Sequence, residues 1–233
     1  MKNILIIGAG KGIGLSTVKN LQHTHNLFAV SRHLTPELSA ENTTFFELDT
    51  TKDNLDSLAT LPDEIHGLVY CPGSINLKPF NRLTTQDFLN DFHQNVIGAI
   101  NVIQYILPKL KRANGASVVL FSTVAVKMGM PFHASIAASK GAIEGLAKSL
   151  AAEYAASKIT FNVIAPSLTD TPLASMLLST DEKKEASNKR HPLQRIGNPD
   201  EISKLVSFLL SEDASWMTGQ IIGIDGGMGS LKV

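Results

Sequence analysis

The sequence predicts a single doubly wound α/β domain, Rossmann-like, with a parallel sheet of about seven strands and helices on both faces. Short apolar runs, typical of strands buried on both faces of a sheet, alternate along the chain with helical patterns. The first run, Ile4-Leu5-Ile6-Ile7, leads directly into a glycine-rich turn and then into a helix. A length of 233 residues suits one such domain, 1–233, because no repeat, low-complexity tract or linker interrupts it.

The individual elements follow from local patterns in the same way. Apolar runs predict strands over 4–7, 27–30, 44–48, 66–70, 117–121, 159–164 and 220–224. Helices are expected over 15–21, 84–111, 134–155 and 199–210. Asn198, Pro199 and Glu201 mark the start of the last helix, with a capping residue, a first-turn proline and a glutamate three residues on. The segments after the second and third strands are short, so only small helices fit there, one of them near 54–61.

Composition excludes several classes of partner. The 21 basic and 21 acidic residues leave no net charge, so no electrostatic argument favours nucleic acid or an anionic membrane. No apolar run approaches the length of a membrane span, and the N-terminus lacks the apolar region of a signal peptide. Cys71 is the only cysteine, which precludes an intrachain disulfide and favours a reducing cytoplasm. We identify no metal-binding motif.

The glycine-rich turn predicts a phosphate-binding site. Glycines at 8, 10, 12 and 14 do not fit G-x-G-x-x-G, but they do fit G-x-x-x-G-x-G. Glycines allow the backbone to approach a pyrophosphate, and the start of the following helix offers free N–H groups and the positive end of its dipole. A plain tight turn between strand and helix is the alternative. We expect a dinucleotide to contact Gly8, Gly10, Lys11, Gly12 and Ile13.

The end of the second strand favours NADP over NAD. An NAD-selective site places a carboxylate about twenty residues beyond the glycines, to hold the ribose hydroxyls. Here the strand ends in Ser31 and Arg32, and Lys11 adds a second cation inside the glycine turn. Two cations beside the adenosine ribose suit a 2′-phosphate. The alternative is that both are solvated surface cations.

Polar or turn residues follow several of the other strands. Asp49 and Thr50 close the third strand, where the carboxylate either accepts from the adenine amino group or caps the helix near 54–61. Pro72 and Gly73 follow the fourth strand, in the region where such a sheet binds its ligand. Thr123 follows the fifth strand directly after another hydroxyl residue.

Two further segments have an open interpretation. Asn95 stands among apolar neighbours in the long helix and is either a packed residue or part of a site. The segment 172–191 mixes apolar leucines and methionine with a charged run. This pattern suggests a mobile lid with its apolar residues turned inward, and an exposed amphipathic helix without a gating role fits equally well.

Together these residues make the chain resemble the short-chain dehydrogenase/reductase family over nearly its whole length. The matching positions are Gly8, Gly12, Gly14, Asp49, Pro72, Gly73, Asn95, the Ser122-Thr123 pair, Lys140, the segment from Pro166 to Thr171, Thr218-Gly219-Gln220 and Asp225-Gly226-Gly227. The resemblance implies that the glycine turn binds pyrophosphate, that Asp49 meets adenine, and that Pro166, Thr169 and Thr171 lie in the loop at the nicotinamide carboxamide. It also implies that Lys140 holds the nicotinamide ribose.

The sequence departs from the family pattern at several motif positions, including those of the two catalytic hydroxyl residues. The Asn-Asn-Ala-Gly of the family is Tyr70-Cys71-Pro72-Gly73 here, its catalytic Ser is Thr123, and its Pro-Gly after the sixth strand is Pro166-Ser167. Above all, the family's tyrosine four residues before the lysine is Ile136. That tyrosine is the family's general acid and base, and losing such a group costs roughly 10²–10⁴ in rate.

His133 is the nearest titratable substitute for the missing phenol. Residues 133, 136 and 140 share one face of a helix, with His133 about 10 Å from Lys140 along the axis. The related enoyl reductases place their tyrosine seven residues before the lysine, which is this position. Alternatively, residue 133 lies in the loop before the helix, with Ser135 as the cap. Hydride transfer with Thr123 or water as the proton source is also open.

We therefore expect an NADP(H)-dependent oxidoreductase that acts on a small carbonyl, alcohol or enoyl substrate. In this hypothesis Lys140 holds the ribose, Thr123 orients the substrate oxygen, Asn95 and a water relay protons, and His133 is a provisional proton donor. One alternative is a pseudoenzyme that binds NADP(H) without turnover, because Ile136 replaces the catalytic tyrosine. Another is a structural role for the two long helices, through which family members commonly form homodimers or homotetramers.

Overall fold

The computed structural model describes residues 1–52 and 54–232 and contains one seven-stranded sheet. Its strands are β1 Asn3–Ile7, β2 Asn26–Ser31, β3 Thr43–Glu47, β4 Gly67–Tyr70, β5 Ala116–Phe121, β6 Ile159–Pro166 and β7 Ile221–Ile224. They are ordered β3-β2-β1-β4-β5-β6-β7, and every neighbouring pair is parallel. The order reverses beside β1, between β1 and β4, as in doubly wound sheets. The predicted fold class is confirmed.

The helices cover both faces of this sheet. They are α1 Gly12–Leu21, α2 Thr85–Phe92, α3 Gly98–Arg112, α4 Val124–Met128, α5 Ala134–Tyr154, α6 Asp181–Lys189 and α7 Pro199–Leu210. Asn198 caps α7 and completes a capping box with Glu201, as its sequence predicts. None of the helices within the described residues is both long and apolar enough to span a bilayer.

The apolar residues of each strand alternate between two cores. On β1, Ile4 and Ile6 pack with residues of α1 and α7, whereas Leu5 and Ile7 pack with residues of α3 and α5. All four side chains are at most 1% exposed. The two-residue repeat of a strand therefore accounts for the continuous apolar run of β1, since both of its faces are covered.

The long helix expected over 84–111 contains an irregular turn. Residues His93–Ile97 form a π-helical turn between α2 and α3, with Asn95 inside it. Such a turn inserts one extra residue per turn and leaves backbone groups without their usual helical partners. The carbonyl oxygen of Gln94 accepts a hydrogen bond from the Tyr70 hydroxyl at 3.0 Å. A side chain at the end of β4 is thus tied to the irregular turn.

Other boundaries differ modestly from the predicted ones. Helix α1 begins at Gly12 rather than at residue 15, because the glycines themselves form its first turn. Among their described residues, the connections after β2 and β3 each contain a single 3₁₀ turn, Pro36–Ser39 and Asp56–Thr60, as the shortness of these segments predicts. The predicted lid segment consists of a 3₁₀ helix, Pro172–Leu178, followed by α6.

A prediction concerns the contact between the first turn of α1 and the turn before it. A Cβ atom added to Gly14 would lie 2.2 Å from the carbonyl oxygen of Gly8, which is backbone and cannot rotate away. We expect Gly14→Ala to lower the free energy of unfolding by about 1–3 kcal/mol, measured by urea denaturation. Gly145→Ala is the control, because a Cβ there meets nothing within 4 Å and alanine favours the interior of α5. Equal effects of the two changes would contradict this account.

Candidate functional site

Two adjoining cavities form a continuous cleft at the carboxyl edge of the sheet. The larger has a volume of about 530 Å³ and lies over the ends of β1, β2 and β4. The smaller has a volume of about 300 Å³ and lies over the ends of β4, β5 and β6. Five residues line both cavities, namely Ile13, Cys71, Gly73, Thr171 and Leu173. A ligand can therefore extend from one cavity into the other.

The glycine-rich turn forms one wall of the larger cavity. The N–H groups of Gly8 and Ala9 both donate to the carbonyl oxygen of Val30 at 2.9 Å, which fixes the turn to β2. Gly12 has a φ of +57°, a conformation that a side chain would strain. Lys11 precedes α1 in an extended conformation, and no side chain caps the helix. The first-turn N–H groups are therefore available to an anionic ligand.

The two cations that the sequence singles out lie on one cavity. Ser31, Arg32 and Lys11 all line the larger cavity, and Lys11 and Arg32 are exposed. Within the described part of the chain, neither cation has an ion-pair partner within 4 Å. The Ser31 hydroxyl donates to the carbonyl oxygen of His33 at 2.5 Å, which stabilises the turn that carries Arg32. Both charges are thus free to meet a phosphate.

Asp49 and Thr50 also line the larger cavity. The Asp49 carboxylate accepts hydrogen bonds from the Thr51 hydroxyl at 2.6 Å and the Thr51 N–H at 3.1 Å. These hydrogen bonds hold the pKa of Asp49 below its ordinary value. The alternative, in which Asp49 caps the helix near 54–61, is wrong, because Leu55 precedes that 3₁₀ turn and no side chain caps it.

Pro72 and Gly73 line the cleft at the end of β4, as expected. The Gln94 side chain donates to the carbonyl oxygen of Gly73 at 2.7 Å, and Gln94 is itself held by Tyr70. Tyr70 and Gln94 therefore support a turn that lacks the family's two asparagines. Sequence reasoning missed Gln94, whose adjacency to Asn95 was the available signal.

The smaller cavity brings together four residues that the sequence singled out. Thr123, His133, Ile136 and Lys140 all line it. The Thr123 hydroxyl oxygen caps α4 by accepting from the Ala125 N–H at 3.3 Å, so its proton remains available for donation. Ile136 is 5% exposed and contributes only an apolar surface. The position where the family carries its phenol therefore holds no proton donor.

Lys140 is a buried cation at the wall of the smaller cavity. It is 8% exposed, and its ammonium group takes part in no ion pair among the described residues. Burial lowers the pKa of Lys140 to about 8, and the nearby Cys71 and Asp91 partly oppose this shift. The ammonium group is thus available to a ligand in the cleft.

Asn95 lies behind the cavity wall rather than on it. Its Nδ2 donates to the carbonyl oxygen of Asp91 at 2.7 Å and to the Ser74 hydroxyl at 3.0 Å. Its Oδ1 is buried and has no hydrogen-bond partner among the described residues. Ser74 lines the smaller cavity, so Asn95 reaches the cavity through that hydroxyl.

A buried carboxylate next to Asn95 was missed by the sequence analysis. Asp91 is 3% exposed and accepts hydrogen bonds from Ser74 and Ser135, both at 2.5 Å. Ser135 is therefore a core partner of Asp91 and not the cap of α5, which corrects one of the sequence alternatives. Position 91 gave no signal, because a single acid in an amphipathic helix is usually solvated.

His133 precedes α5 instead of lying within it. It is the residue immediately before the first helical turn, with φ of −101° and ψ of 10°. His133 is thus the capping position and not an interior residue of the helix, but its carbonyl oxygen accepts from the Ala137 N–H at 2.8 Å. It lines the smaller cavity together with Ile136 and Lys140. Its Nδ1 lies 2.7 Å from the Pro131 carbonyl oxygen, which leaves Nε2 for another partner.

The loop after β6 completes the cleft. Pro166 and Thr169 line the smaller cavity, and Thr171 lines both cavities. Of the apolar lid residues, Leu173 and Leu177 face the smaller cavity, whereas Met176 is 78% exposed. The expected inward turn of the apolar lid residues therefore holds for some of them only.

Ser167 and His191 form a pair that sequence reasoning did not connect. The Ser167 hydroxyl lies 2.8 Å from Nε2 of His191, and Ser167 lines the smaller cavity. Ser167 was identified only as a departure from the family's glycine, and the histidine follows α6, some distance along the sequence. Only the folded chain shows that they meet.

The fold and the cleft are those of a dinucleotide-binding protein of the doubly wound class. A family model described as enoyl-(acyl carrier protein) reductase matches residues 8–229. A tropinone reductase homolog of Arabidopsis thaliana is 32% identical over 241 residues, which cover 97% of this chain and 92% of that protein.

Solved structures agree with the sequence relatives. A short chain dehydrogenase family protein from Francisella tularensis has a TM-score of 0.90 at 30% identity, covering 99% of this chain and 100% of that one. ElxO with NADP bound has a TM-score of 0.89 at 27% identity, covering 99% of each chain. The chain therefore belongs to the short-chain dehydrogenase/reductase family, a family of oxidoreductases.

A prediction follows from the burial of Lys140. Below pH 8 the lysine is charged in both the folded and the unfolded protein, so burying the charge lowers the stability of the folded chain. Between pH 8 and 10.5, the ordinary pKa of a lysine, the folded protein has lost the Lys140 proton while the unfolded protein still holds it. Because the unfolded state then binds more protons, the stability of the folded protein rises with pH. We expect the free energy of unfolding of the wild type, relative to that of Lys140→Met, to rise by on the order of 2 kcal/mol over this window. A flat difference between the two urea-denaturation series would contradict the burial argument.

Proposed function

We propose that this chain is an NADP(H)-dependent oxidoreductase that transfers a hydride to or from a small carbonyl, alcohol or enoyl substrate. The observation that carries this proposal is the continuous cleft. At one end it offers two exposed cations, Lys11 and Arg32, and at the other a buried ammonium group, Lys140, beside the Thr123 hydroxyl. The NADP bound in ElxO supports the choice of cofactor.

The residues of the larger cavity fit the adenosine half of the dinucleotide. The open N–H groups at the start of α1 suit the pyrophosphate, and Asp49 lies where an adenine amino group would be accepted. The proposed cofactor contacts are Gly8, Gly10, Lys11, Gly12, Ile13, Ser31, Arg32, Asp49, Thr50, Pro72, Gly73, Lys140, Pro166, Thr169 and Thr171. NADP(H), when bound, supplies or takes up the hydride.

The phosphorylated cofactor is favoured by charge. Arg32 and Lys11 lie on the same cavity and are not neutralised by ion pairs among the described residues. A guanidinium group and an ammonium group together suit the two negative charges of a 2′-phosphate. The end of β2 carries no carboxylate that would favour the bare ribose of NAD.

The smaller cavity supplies the remaining roles. We assign Lys140 to the nicotinamide ribose, because it is buried and its ammonium group forms no ion pair with the residues that the structure describes. We assign Thr123 to the substrate oxygen, because its hydroxyl proton is available at the cavity wall. Asn95 holds Ser74 in place, and its unpartnered Oδ1 suits a water that relays protons. His133 is a candidate proton donor, because it lines the same cavity.

A specific observation favours a second candidate function. Ile136 occupies the position of the family's general acid and base, and an alkyl side chain cannot transfer a proton. The chain would then be a pseudoenzyme that binds NADP(H) and senses it without turnover. Whether the chain is an enzyme or a pseudoenzyme depends on whether another group of the smaller cavity supplies the proton.

Assembly and location are proposed on more general grounds. We propose a homodimer or homotetramer, because α2 leaves Leu89 56% exposed and Phe92 41% exposed on its outer surface. The single cysteine, Cys71, agrees with a cytoplasmic location, and its burial raises the pKa of the thiol to about 12.

The cofactor assignment predicts a preference for NADPH. We expect NADPH to bind at least about 10-fold more tightly than NADH in a fluorescence titration, because charge-assisted contacts to the 2′-phosphate add affinity. Arg32→Ala should weaken NADPH binding about 10-fold and leave NADH binding unchanged. Arg112→Ala, at the far end of α3, is the matched control and should change neither affinity. Equal affinities for the two cofactors in the wild type would overturn the assignment.

The enzymatic assignment predicts turnover that depends on Lys140. A panel of ketones, enoyl thioesters and alcohols should reveal at least one substrate whose conversion changes NADPH absorbance. Lys140→Ala should reduce kcat/KM for this substrate by about 100-fold, because it loses both the ribose contact and the local positive charge. Lys148→Ala, exposed on the same helix, should leave turnover unchanged. Tight NADPH binding without conversion of any panel member would support the pseudoenzyme instead.

A further inference from the structure

Ser167 and His191 form a hydrogen-bonded pair that opens onto the smaller cavity. The Ser167 hydroxyl lies 2.8 Å from Nε2 of His191. His191 is 1% exposed, whereas Ser167 is half-buried and lines the cavity. The serine is therefore accessible to a small molecule, and the histidine is shielded behind it.

The direction of each hydrogen bond follows from the partner on the other ring nitrogen. Nδ1 of His191 lies 2.8 Å from the carbonyl oxygen of Ser187, which can only accept, so Nδ1 carries a proton. In the neutral ring Nε2 is then an acceptor, and the Ser167 hydroxyl donates to it. The Met228 sulfur lies 3.2 Å from the same hydroxyl, but a thioether is a much weaker acceptor than an imidazole nitrogen.

Sheet register brings Ser167 to the same end of the sheet as Thr123, the residue assigned to the substrate oxygen. Ser167 follows directly after β6, and Thr123 follows closely after the neighbouring strand β5. The N–H of Ser122 donates to the carbonyl oxygen of Ile164 at 2.8 Å, so the two strand ends remain paired up to this point. Neighbouring strands lie about 4.8 Å apart, and the two hydroxyl residues line the same cavity.

We propose that Ser167 and His191 supply the substrate proton in place of the missing phenol. This inference rests on the proposed oxidoreductase function. In reduction, the substrate carbon gains the hydride from NADPH and the carbonyl π bond breaks. Before this step, Nε2 of His191 takes up a proton from solvent, which reverses its hydrogen bond with Ser167 and releases the hydroxyl proton for the substrate. The substrate oxygen then takes the Ser167 hydroxyl proton, and the serine oxygen takes the Nε2 proton. These transfers restore the neutral imidazole, and oxidation runs through the same steps in reverse.

The geometry favours this pair over His133. His133 is the residue immediately before α5, and the one side-chain hydrogen bond it makes among the described residues joins Nδ1 to the Pro131 carbonyl oxygen. His191 is buried, and both of its nitrogens are fixed by hydrogen bonds. A fixed donor next to the reacting group transfers a proton more efficiently than one that must first be oriented. Ser167 is thus the catalytic residue, and His191 acts through it as a positioning residue and proton reservoir.

The test compares variants on the substrate that the panel identifies. We expect Ser167→Ala and His191→Gln each to lower kcat about 100-fold, while KM and the NADPH affinity change by no more than about 2-fold. Ser167→Thr keeps the hydroxyl and should retain most of the activity. Ser207→Ala on α7 and His66→Gln at the amino end of β4 are matched controls that should behave as wild type.

A rescue separates proton donation from a structural role. Ile136 lines the same cavity, so Ile136→Tyr introduces a phenol next to Lys140. In the Ser167→Ala background, this second change should raise kcat at least about 10-fold. The wild type should also show a solvent deuterium isotope effect on kcat, and Ser167→Ala should alter it. If the pair only stabilised the fold, neither the rescue nor the isotope effect would depend on Ser167.

A measurement without turnover examines the pair directly. In protein labelled with ¹⁵N-histidine, His191 should show a protected Nδ1–H and an Nε2 signal typical of an acceptor nitrogen. Ser167→Ala should shift that Nε2 signal and leave the His133 signals in place. A His191 ring protonated on Nε2 alone would contradict the inference.

The outcomes separate this inference from the function on which it rests. If the wild type binds NADPH and converts nothing, both fail. If the wild type is active and Ser167→Ala and His191→Gln match it, only the inference fails. Should His133→Ala alone lose about 100-fold in kcat, the proton donor is His133 and the Ser167–His191 pair is excluded.

Discussion

The site depends on the close contact between the start of α1 and the turn that follows β1. Gly14 approaches the Gly8 carbonyl so closely that a Cβ atom there would be 2.2 Å away. This contact places the open first turn of α1 above the carboxyl ends of the strands. Because all strands run parallel, the loops after β4, β5 and β6 reach the same edge. Because β1, β4 and β5 are buried on both faces, the polar groups of the cleft come from the residues that follow the strands and from the helices beside them.

Local patterns were sufficient to predict the fold and to single out many of the residues that line the larger cavity. Strands buried on both faces appear as short apolar runs, and the glycine turn, Lys11 and Arg32 are adjacent to the first two strands in sequence. The resemblance to the family was carried by residues at strand ends, and the family itself is confirmed. The start of α1 was misplaced because glycines disfavour helices in isolation, whereas here their close packing against the turn outweighs that tendency.

The contacts around the smaller cavity could not be predicted from local patterns. Asp91, Asn95 and Ser135 meet because the π-helical turn and α5 pack together, and no periodicity in either segment indicates that contact. Ser167 and His191 are 24 positions apart and meet only when α6 has folded across the loop after β6. In our proposal, residues from a different part of the chain supply the proton chemistry that Ile136 cannot provide. The sequence gives no sign of such a pair, because the missing phenol is its dominant signal.

The most direct measurement is a crystal structure of the chain grown with NADP⁺. Our account places the 2′-phosphate between Lys11 and Arg32, the nicotinamide ribose on the Lys140 ammonium group, and the nicotinamide ring within reach of the Ser167 hydroxyl. An empty larger cavity at saturating cofactor, or one filled by protein side chains, would contradict both the enzymatic and the sensory function.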